Sequence, residues 1–339
     1  MVYRSENNMK VLITGASGFI GTHVVTQCAK KNIPCLNIDK KPPLDPSHHT
    51  YWEKGDIENV DALKDSFQAF NPTHVLHLAA RTDCDENTTV DTGYRVNTEG
   101  TKNVLTAIRR TVSVSRAIIT SSQYVCGPDH RPSDINDYGP HTVYGQSKVL
   151  TEKFTKEAQL SCCWTLIRPT NIWGPWHMRY KKEFWSVLKK GLYLHPGGRP
   201  VIRCYGYVGN VVHQIMRIFN ALEGNVNLQT FYVGDPAMDI YQWTNGFSLK
   251  LKKKPVRVVP RFVLQGLGAI GDVARLLSAP FPITTSRYQS MTTDYLTPMD
   301  KTFEVLGYPQ ISLEQGIEET VQWLKKCETE NKEMKNPIS

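Results

Sequence analysis

The chain has 339 residues, 40% of them hydrophobic and 21% charged, with a formal net charge of +8 at pH 7. This mixture excludes a disordered chain and is enough for one large α/β unit or two coupled domains. The basic residues are dispersed rather than gathered in a stripe, so we expect no nucleic-acid partner, and the eight cysteines have no metal-ligand spacing, so we expect no metal site.

The first half of the chain alternates short apolar runs with helical patterns. Such alternation predicts an α/β fold with a doubly wound parallel sheet covered by helices on both faces. The predicted strands lie at residues 10–14, 35–39, 74–78, 117–120 and 165–168, and the first two helices at 19–30 and 60–70.

The turn after the first predicted strand has the spacing G-x-x-G-x-x-G, from Gly15 through Gly18 to Gly21. Glycines there permit a tight turn, a close approach of the backbone to a pyrophosphate, and close packing of helix on strand. The following helix directs its free N–H groups at the phosphates. The turn therefore predicts a dinucleotide site, although a glycine triplet can also be an ordinary turn.

Asp39 ends the second predicted strand, where a carboxylate can accept hydrogen bonds from ribose hydroxyls and repel a 2′-phosphate. This favours NAD over NADP, a preference that Lys40 and Lys41 can weaken. Asp56, followed by Ile57, can contact the adenine amino group. Asp39 can also be a surface residue, and Asp56 an ordinary turn residue.

Tyr144 and Lys148 are four residues apart, so on a helix they share one face. The pKa of a free tyrosine is near ~10, and a nearby ammonium favours the phenolate that acts as a base. Ser122 is the third candidate, a donor to the substrate oxygen, with Ser121 as the adjacent alternative. The spacing alone also fits an ordinary amphipathic helix.

The ordered set of motifs resembles the extended short-chain dehydrogenase/reductases of the nucleotide-sugar epimerase/dehydratase branch. After the glycines and Asp39 the motifs are His77-Leu78-Ala79-Ala80, Asn97-x-x-Gly100-Thr101, Thr120-Ser121-Ser122, Tyr144-x-x-x-Lys148 and Arg168-Pro169-x-Asn171-x-x-Gly174-Pro175.

The resemblance implies a Rossmann-type fold, NAD as the cofactor, and catalysis by Tyr144, Lys148 and Ser122. It also implies a homodimer built through helices of the first domain. The expected cofactor contacts are Gly15, Ser17, Gly18, Phe19, Ile20, Gly21, Asp39, Lys40, Asp56, Ile57, Leu78, Ala79, Ala80, Asn97, Tyr144, Lys148 and Pro169.

The expected domains are an NAD-binding Rossmann domain and a smaller, interleaved C-terminal substrate-binding lobe. The first covers residues 9–170 with returning segments near 205–234. The lobe covers 171–204 and 235–330, and flexible tails are expected at 1–8 and 331–339.

The substrate that the resemblance implies is a nucleotide sugar, with contacts from Ser122, Gln123, Asn171, Arg203 and Arg287. Arginine is suited to phosphate because its planar fork can bind two oxygens, although either arginine can be a plain surface charge. The sequence departs from the family pattern at Cys126, Cys204 and Asn210, which leaves the identity of the sugar open.

The reaction type depends on the residues after Ser122. Dehydratases of the family place carboxylates there, whereas this chain has Gln123 and Tyr124. We therefore expect an epimerase that acts through a transient keto sugar. The alternatives are a nucleotide-sugar or steroid-like hydroxyl dehydrogenase on the same fold, and a non-catalytic NAD-binding regulator.

Residues 1–8 are polar and contain no apolar signal region, so the expected location is cytoplasmic. The apolar segment from Phe262 to Leu277 is too short to span a bilayer. We predict a helix packed on the core or at a subunit interface, with a role at the membrane surface as the alternative. Trp173 and Trp176 can wall a sugar pocket or pack in a core.

Overall fold

The computed structural model describes residues 8–277, 281 and 283–335. The chain divides into two compact units whose segments alternate along the sequence. Unit 1 comprises Met1–Ile172, Gly206–Asp235 and Pro298–Gln310, and unit 2 comprises Trp173–Tyr205, Pro236–Thr297 and Ile311–Ser339.

The elements before the first passage into unit 2 are β1 (Val11–Thr14), α1 (Phe19–Lys30), β2 (Cys35–Asp39), β3 (Trp52–Lys54), α2 (Val60–Phe70), β4 (His74–His77), α3 (Val90–Gly93), α4 (Arg95–Arg110), β5 (Arg116–Thr120), α5 (Val143–Glu157), β6 (Cys163–Pro169) and β7 (Asn171–Trp173). The later elements are α6 (Met178–Tyr180), α7 (Ser186–Lys189), β8 (Leu194–Pro196), β9 (Ile202–Tyr207), α8 (Val208–Asn220), α9 (Glu223–Val226), β10 (Gln229–Val233), β11 (Ala237–Asp239), α10 (Ile240–Lys252), β12 (Arg257–Val259), α11 (Arg261–Leu276), α12 (Thr285–Thr292), α13 (Asp300–Leu306) and α14 (Leu313–Lys335).

Unit 1 is built on a seven-stranded sheet in the order β10-β6-β5-β4-β1-β2-β3, with every neighbouring pair parallel. The four residues of β1 are all buried, as expected for a central strand covered on both faces. An apolar core lies between the sheet and the helices α2, α4 and α5. The predicted Rossmann-type α/β fold is confirmed.

The chain reverses its direction of growth across the sheet between β1 and β4. Ligands of open α/β sheets bind where the carboxyl ends of strands meet such a reversal. The glycine turn follows β1 and the residues Leu78, Ala79 and Ala80 follow β4, so both border this position.

Unit 2 is held together largely by aromatic side chains. Trp173 and Trp185 are almost fully buried, and Phe184 stacks on Trp243 with 4.6 Å between the ring centroids. The Trp173 ring meets Phe247 edge to face at 5.6 Å. Trp173 is therefore a core residue of this unit.

Two predicted boundaries differ from the structure. Residues 298–310, assigned from the sequence to the substrate lobe, belong to unit 1, where Thr302 of α13 donates to the carbonyl of Tyr232 in β10. Part of the predicted C-terminal tail is helical, because α14 continues to Lys335. Residues 1–7 and 336–339 of the predicted tails lie outside the described residues.

In the described part of the chain, no helix combines the length and the apolar character needed to cross a membrane.

Candidate active site

The glycine turn is shaped by close backbone contacts in unit 1. Gly15 has φ +78°, and a Cβ there would lie 2.5 Å from the Ala79 backbone, while a Cβ on Gly21 would lie 2.2 Å from Ala16 Cα. Any larger residue at either position would push α1 away from β1 and β4. Gly18 is the N-cap of α1 and no side chain caps the helix, whose first turn has no acidic residue.

Asn37 in β2 fixes the turn from below. Its Oδ1 accepts from the Ala16 N–H at 3.0 Å, and its Nδ2 donates to Ser17 Oγ at 3.0 Å. The sequence reasoning missed this residue. A polar amide in an otherwise apolar strand was the available signal, because a buried amide needs hydrogen-bond partners.

Asp39 lies at the end of β2, beside the start of α1. Its carboxylate accepts from the N–H groups of Ser17 at 3.2 Å and Lys41 at 3.0 Å. Burial raises its pKa, and these hydrogen bonds oppose that rise. The Lys40 ammonium pairs with Asp56 at 2.9 Å and with Glu58 at 3.3 Å, so part of its charge is balanced by Asp56, the residue predicted to meet adenine.

These residues fit a dinucleotide. The uncapped start of α1 supplies N–H groups for a pyrophosphate, the tight glycines remove the side chains that would obstruct it, and Asp39 supplies an acceptor for ribose hydroxyls. Leu78, Ala79 and Ala80 are partly exposed at the carboxyl end of β4 and can line the cofactor, whereas Ile57 is buried.

Asn97 joins the segment after β4 to the helix that carries Tyr144. This fully buried amide accepts from the Arg81 N–H at 2.8 Å and donates to the Arg81 carbonyl at 3.0 Å and to Ser147 Oγ at 2.9 Å. Thr151 of α5 donates to the Asn97 carbonyl at 2.9 Å. Asn97 therefore sets the position of α5, and its buried amide is already hydrogen-bonded to Arg81 and Ser147.

His77, at the end of β4, is buried between two threonines. Thr101 Oγ1 gives its proton to the Asn97 carbonyl, so it accepts from His77 Nε2 at 3.0 Å, and His77 Nδ1 accepts from Thr14 Oγ1 at 2.7 Å. Burial lowers the His77 pKa to about 3, and the Lys148 charge adds to the effect. The imidazole is therefore neutral and links β1, β4 and α4.

Ser122 and Tyr144 are brought together at the carboxyl end of β5, and Lys148 lies one helical turn further along α5. Thr142 caps α5 by accepting from the Gly145 N–H at 2.9 Å. A Cβ on Gly145 would lie 2.3 Å from the Tyr124 carbonyl oxygen, so glycine lets α5 approach the segment after Ser122. A hydrogen bond joins Ser122 to Tyr144.

Burial shifts the pKa values of both Tyr144 and Lys148. Burial raises the pKa of Tyr144, and the Ser122 hydrogen bond opposes the rise. Burial lowers the pKa of Lys148 to about 8, against the opposing charge of Glu152. Ser122 Oγ accepts from the Tyr124 N–H at 3.2 Å, so its own proton can be donated to Tyr144.

A buried ion pair that the sequence reasoning missed lies behind these residues. The Arg168 guanidinium binds both oxygens of Glu152, at 2.7 Å and 2.8 Å, and both side chains are fully buried. Ser121 donates to Glu152 at 2.6 Å, which commits this serine to the ion pair and leaves Ser122 as the one bonded to Tyr144. The signal was Glu152, four residues after Lys148 on the same face of α5.

The acidic residues before α3 are engaged with neighbours in unit 1. Asp83 and Asp85 both pair with Arg81, at 2.8 Å and 2.9 Å. Glu86 accepts from the Val143 N–H at the start of α5, at 3.3 Å. Gln123, directly after Ser122, is almost fully buried.

The other predicted substrate residues are divided between the two units. Asn171 begins β7 and is partly exposed, and Pro169 ends β6. In unit 2, Arg203 is buried and donates twice to the Thr293 carbonyl, at 3.0 Å and 2.9 Å. Arg287 is exposed on α12.

Arg203 and Arg287 share one neighbour, Tyr193. Burial raises the pKa of the Tyr193 phenol, and the charges of both arginines oppose that rise. The structure therefore brings these two predicted phosphate-binding residues into the same part of unit 2.

Comparison with known proteins gives matches over most of the chain. Residues 11–234 match the model of the NAD dependent epimerase/dehydratase family. An N-acetyl-α-D-glucosaminyl-diphospho-ditrans,octacis-undecaprenol 4-epimerase of Escherichia coli O157:H7 is 28% identical over 337 residues, covering 93% of this chain and 95% of that protein. A 3β-hydroxysteroid dehydrogenase of Mycolicibacterium neoaurum is 28% identical over 245 residues, covering 67% of this chain and 65% of its own.

Solved structures share the fold at lower identity. A UDP-glucose 4-epimerase of Thermotoga maritima, determined with UDP-glucose, has a TM-score of 0.72 and 20% identity, covering 94% of this chain and 99% of its own. A UDP-glucuronic acid 4-epimerase of Bacillus cereus, determined with UDP-glucuronic acid and NAD, has a TM-score of 0.71 and 19% identity, covering 94% and 100%.

Proposed function

The chain belongs to the NAD-dependent epimerase/dehydratase family, and on that premise we propose that it inverts one hydroxyl-bearing carbon of a sugar carried on a diphosphate, with a nucleotide sugar as the leading substrate. The observation that carries the proposal is the buried Ser122–Tyr144 pair with Lys148 one helical turn further along α5. This arrangement supports proton transfer at a sugar hydroxyl.

The chain's own residues have three tasks in this reaction. Tyr144, as the phenolate, takes the proton of the hydroxyl, and Ser122 donates a hydrogen bond to the same oxygen as it becomes a carbonyl. Lys148, with its pKa near 8, supplies a positive charge that favours the phenolate. NAD, when bound, would supply the hydride acceptor and donor that this chemistry needs.

Inversion would require the keto sugar to turn, so that its other face is presented before the oxygen is protonated again. Tyr144 then returns its proton to the oxygen. The product is therefore a stereoisomer of the substrate, and the cofactor is unchanged after each turnover. Glycines 15, 18 and 21, Asp39 and Leu78 to Ala80 would hold the cofactor, and Arg203 and Arg287 would hold the diphosphate.

Dehydration is disfavoured because it needs a further acid and base at neighbouring carbons. Gln123 and Tyr124 stand where such a carboxylate is expected, and Tyr144 is committed to the oxidised hydroxyl. The nearby Asp83 and Asp85 are paired with Arg81, and Glu86 caps α5.

The second candidate is a dehydrogenase of a secondary alcohol, which the hydroxysteroid dehydrogenase relative favours. The same Ser122, Tyr144 and Lys148 would serve it, but reduced cofactor would accumulate in proportion to product. A non-catalytic regulator would bind NAD and turn over nothing.

One experiment separates these functions. The full chain with NAD is incubated in deuterated water with UDP-, GDP-, CDP- and dTDP-hexoses and with a hexosamine on undecaprenyl diphosphate, the carrier of the Escherichia coli relative, and the products are followed by NMR. We expect a stereoisomer of one sugar with no deuterium on carbon. A 4-keto-6-deoxy sugar with deuterium, stoichiometric reduced cofactor, or no turnover of any sugar would contradict the proposal.

A further inference from the structure

Helix α11 in unit 2 buries two glycines and one leucine and exposes most of its large apolar residues. Its buried positions are Leu264, Gly268 and Gly271. A Cβ on Gly271 would lie 1.8 Å from the carbonyl oxygen of Ile283, and one on Gly268 would lie 3.2 Å from the backbone of Thr284. The helix is therefore packed closely, through its glycine face, on the chain that leads into α12.

The opposite face is apolar and open to water. The exposed fractions are 74% for Phe262, 56% for Ile270, 57% for Val273 and 86% for Leu276. Their spacing of eight, three and three residues places them on one stripe of the helix. Soluble chains rarely expose a contiguous apolar surface of this kind without a partner for it.

The surrounding chain is strongly basic. From Lys250 to Ser290 the sequence has eight lysines and arginines and one acidic residue, Asp272. That carboxylate accepts from the Thr285 N–H at 3.3 Å, within the packing of α11 on α12. Apart from Arg287, proposed above to hold the diphosphate, the exposed basic residues of this segment are Lys253, Lys254, Arg257 and Arg275.

We propose that the apolar face of α11, together with these basic residues, docks the protein on the surface of an anionic lipid bilayer. Helices that lie in a membrane interface bury an apolar face among the acyl chains and place cations among the headgroups. The proposal concerns where the protein binds, and it does not depend on the reaction proposed above.

The charge decides between a membrane and a second copy of the chain. A twofold dimer through this face would bring the same basic segment of two chains together. Like charges at such an interface repel, whereas anionic headgroups attract every one of them. An anionic lipid surface is therefore the occupant that matches both the apolar and the charged part.

The test is flotation of the full chain with vesicles of phosphatidylcholine alone or mixed equally with phosphatidylglycerol. We expect binding to the mixed vesicles, reduced by salt. Phe262→Ser with Ile270→Ser and Leu276→Ser should abolish it, and Lys254→Gln with Arg257→Gln should weaken it about fivefold per residue. The matched control is Val112→Ser with Leu222→Ser, two exposed apolar residues of unit 1, which should bind like the wild type.

Light scattering measures the oligomeric state of the wild type and the variants, and turnover measures the proposed reaction. Absence of binding to the mixed vesicles, or unchanged binding by the Phe262, Ile270 and Leu276 variant, would overturn the proposal. So would a dimer that this variant dissociates without any vesicle binding by the wild type. Turnover of a water-soluble nucleotide sugar reports on the proposed reaction separately, and the α11 variants should leave it unchanged.

Discussion

Helices α5 and α11 distribute polar and apolar side chains in opposite ways. Helix α5 in unit 1 buries Ser147, Lys148, Thr151 and Glu152, and hydrogen bonds within the unit hold the first, third and fourth of them. Helix α11 in unit 2 exposes most of its large apolar residues and buries two of its glycines, Gly268 and Gly271.

The difference shows where each helix is specialised. Buried polar groups are tolerated when they are satisfied, and a satisfied network fixes one geometry, as proton transfer requires. An exposed apolar stripe gains nothing from folding, so its use lies in what it contacts outside the chain. Both helices break the usual rule of apolar inside and polar outside, and such breaks concentrate at functional places.

The largest effect in this comparison is expected at the hydroxyl of Tyr144. Tyr144→Phe removes the hydroxyl proposed to transfer the proton while leaving the ring, so turnover should fall about 10³-fold with NAD affinity nearly unchanged. Steady-state assays and calorimetric NAD titration measure the two quantities. The control is Tyr308→Phe, at an exposed position, and near-wild-type turnover of the Tyr144 variant would assign the base to another residue.

Among these changes, loss of the buried Glu152–Arg168 ion pair should reduce the free energy of unfolding strongly. Glu152→Ala leaves the Arg168 charge buried without its carboxylate, and this should lower the free energy of unfolding by about 3–5 kcal/mol. Glu99→Ala is the matched control because it removes an exposed pair with Lys102, at 2.9 Å, and should cost under about 1 kcal/mol. Equal losses in urea titrations would show that the burial of the first pair is unimportant.

His77 should make the protein sensitive to acid. Between pH 6.5 and about 3 the unfolded chain holds a proton on this imidazole and the folded chain does not. The free energy of unfolding therefore decreases as the pH is lowered through that window, by about 1.4 kcal/mol per pH unit from this residue. His77→Asn should remove that part of the slope, so wild type and variant converge in acid, whereas His49→Asn at an exposed position should change nothing.

The smallest effect should come from the open face of α11. Phe262→Ser and Ile270→Ser should each change the free energy of unfolding by under about 0.5 kcal/mol, because neither side chain loses much packing. Leu264→Ala on the buried face of the same helix should cost about 2–5 kcal/mol. Thermal unfolding compares the three, and a large loss at Phe262 would mean that the exposed face packs on something within the chain.

The sequence predicts the first βα turn well because its chemistry is local. The glycines of the turn and Asp39 are identified by spacing alone, and the resemblance orders the remaining motifs. Glu152 is different, because its partner Arg168 is brought to it by the sheet, and no spacing in the chain reports that contact.

The sequence does not predict the direction in which α11 faces. Its periodicity is the same whether the apolar side packs inward or outward. The pattern therefore fits packing on the core, a subunit interface and the membrane surface equally. The orientation depends on Gly268 and Gly271 meeting residues 283–285, which is a tertiary contact. The homodimer, the cytoplasmic location and the roles of the individual site residues stay predictions.

The alternation of segments between the two units has a consequence for biosynthesis. Unit 1 takes its edge strand β10 from residues 229–233 and its helix α13 from residues 300–306. A ribosome must therefore deliver most of the chain before the sheet is complete. Neither unit can be produced as one uninterrupted fragment. A nascent chain halted after α5 would lack β6, so the edge of β5 that pairs with β6 would be open to chaperones.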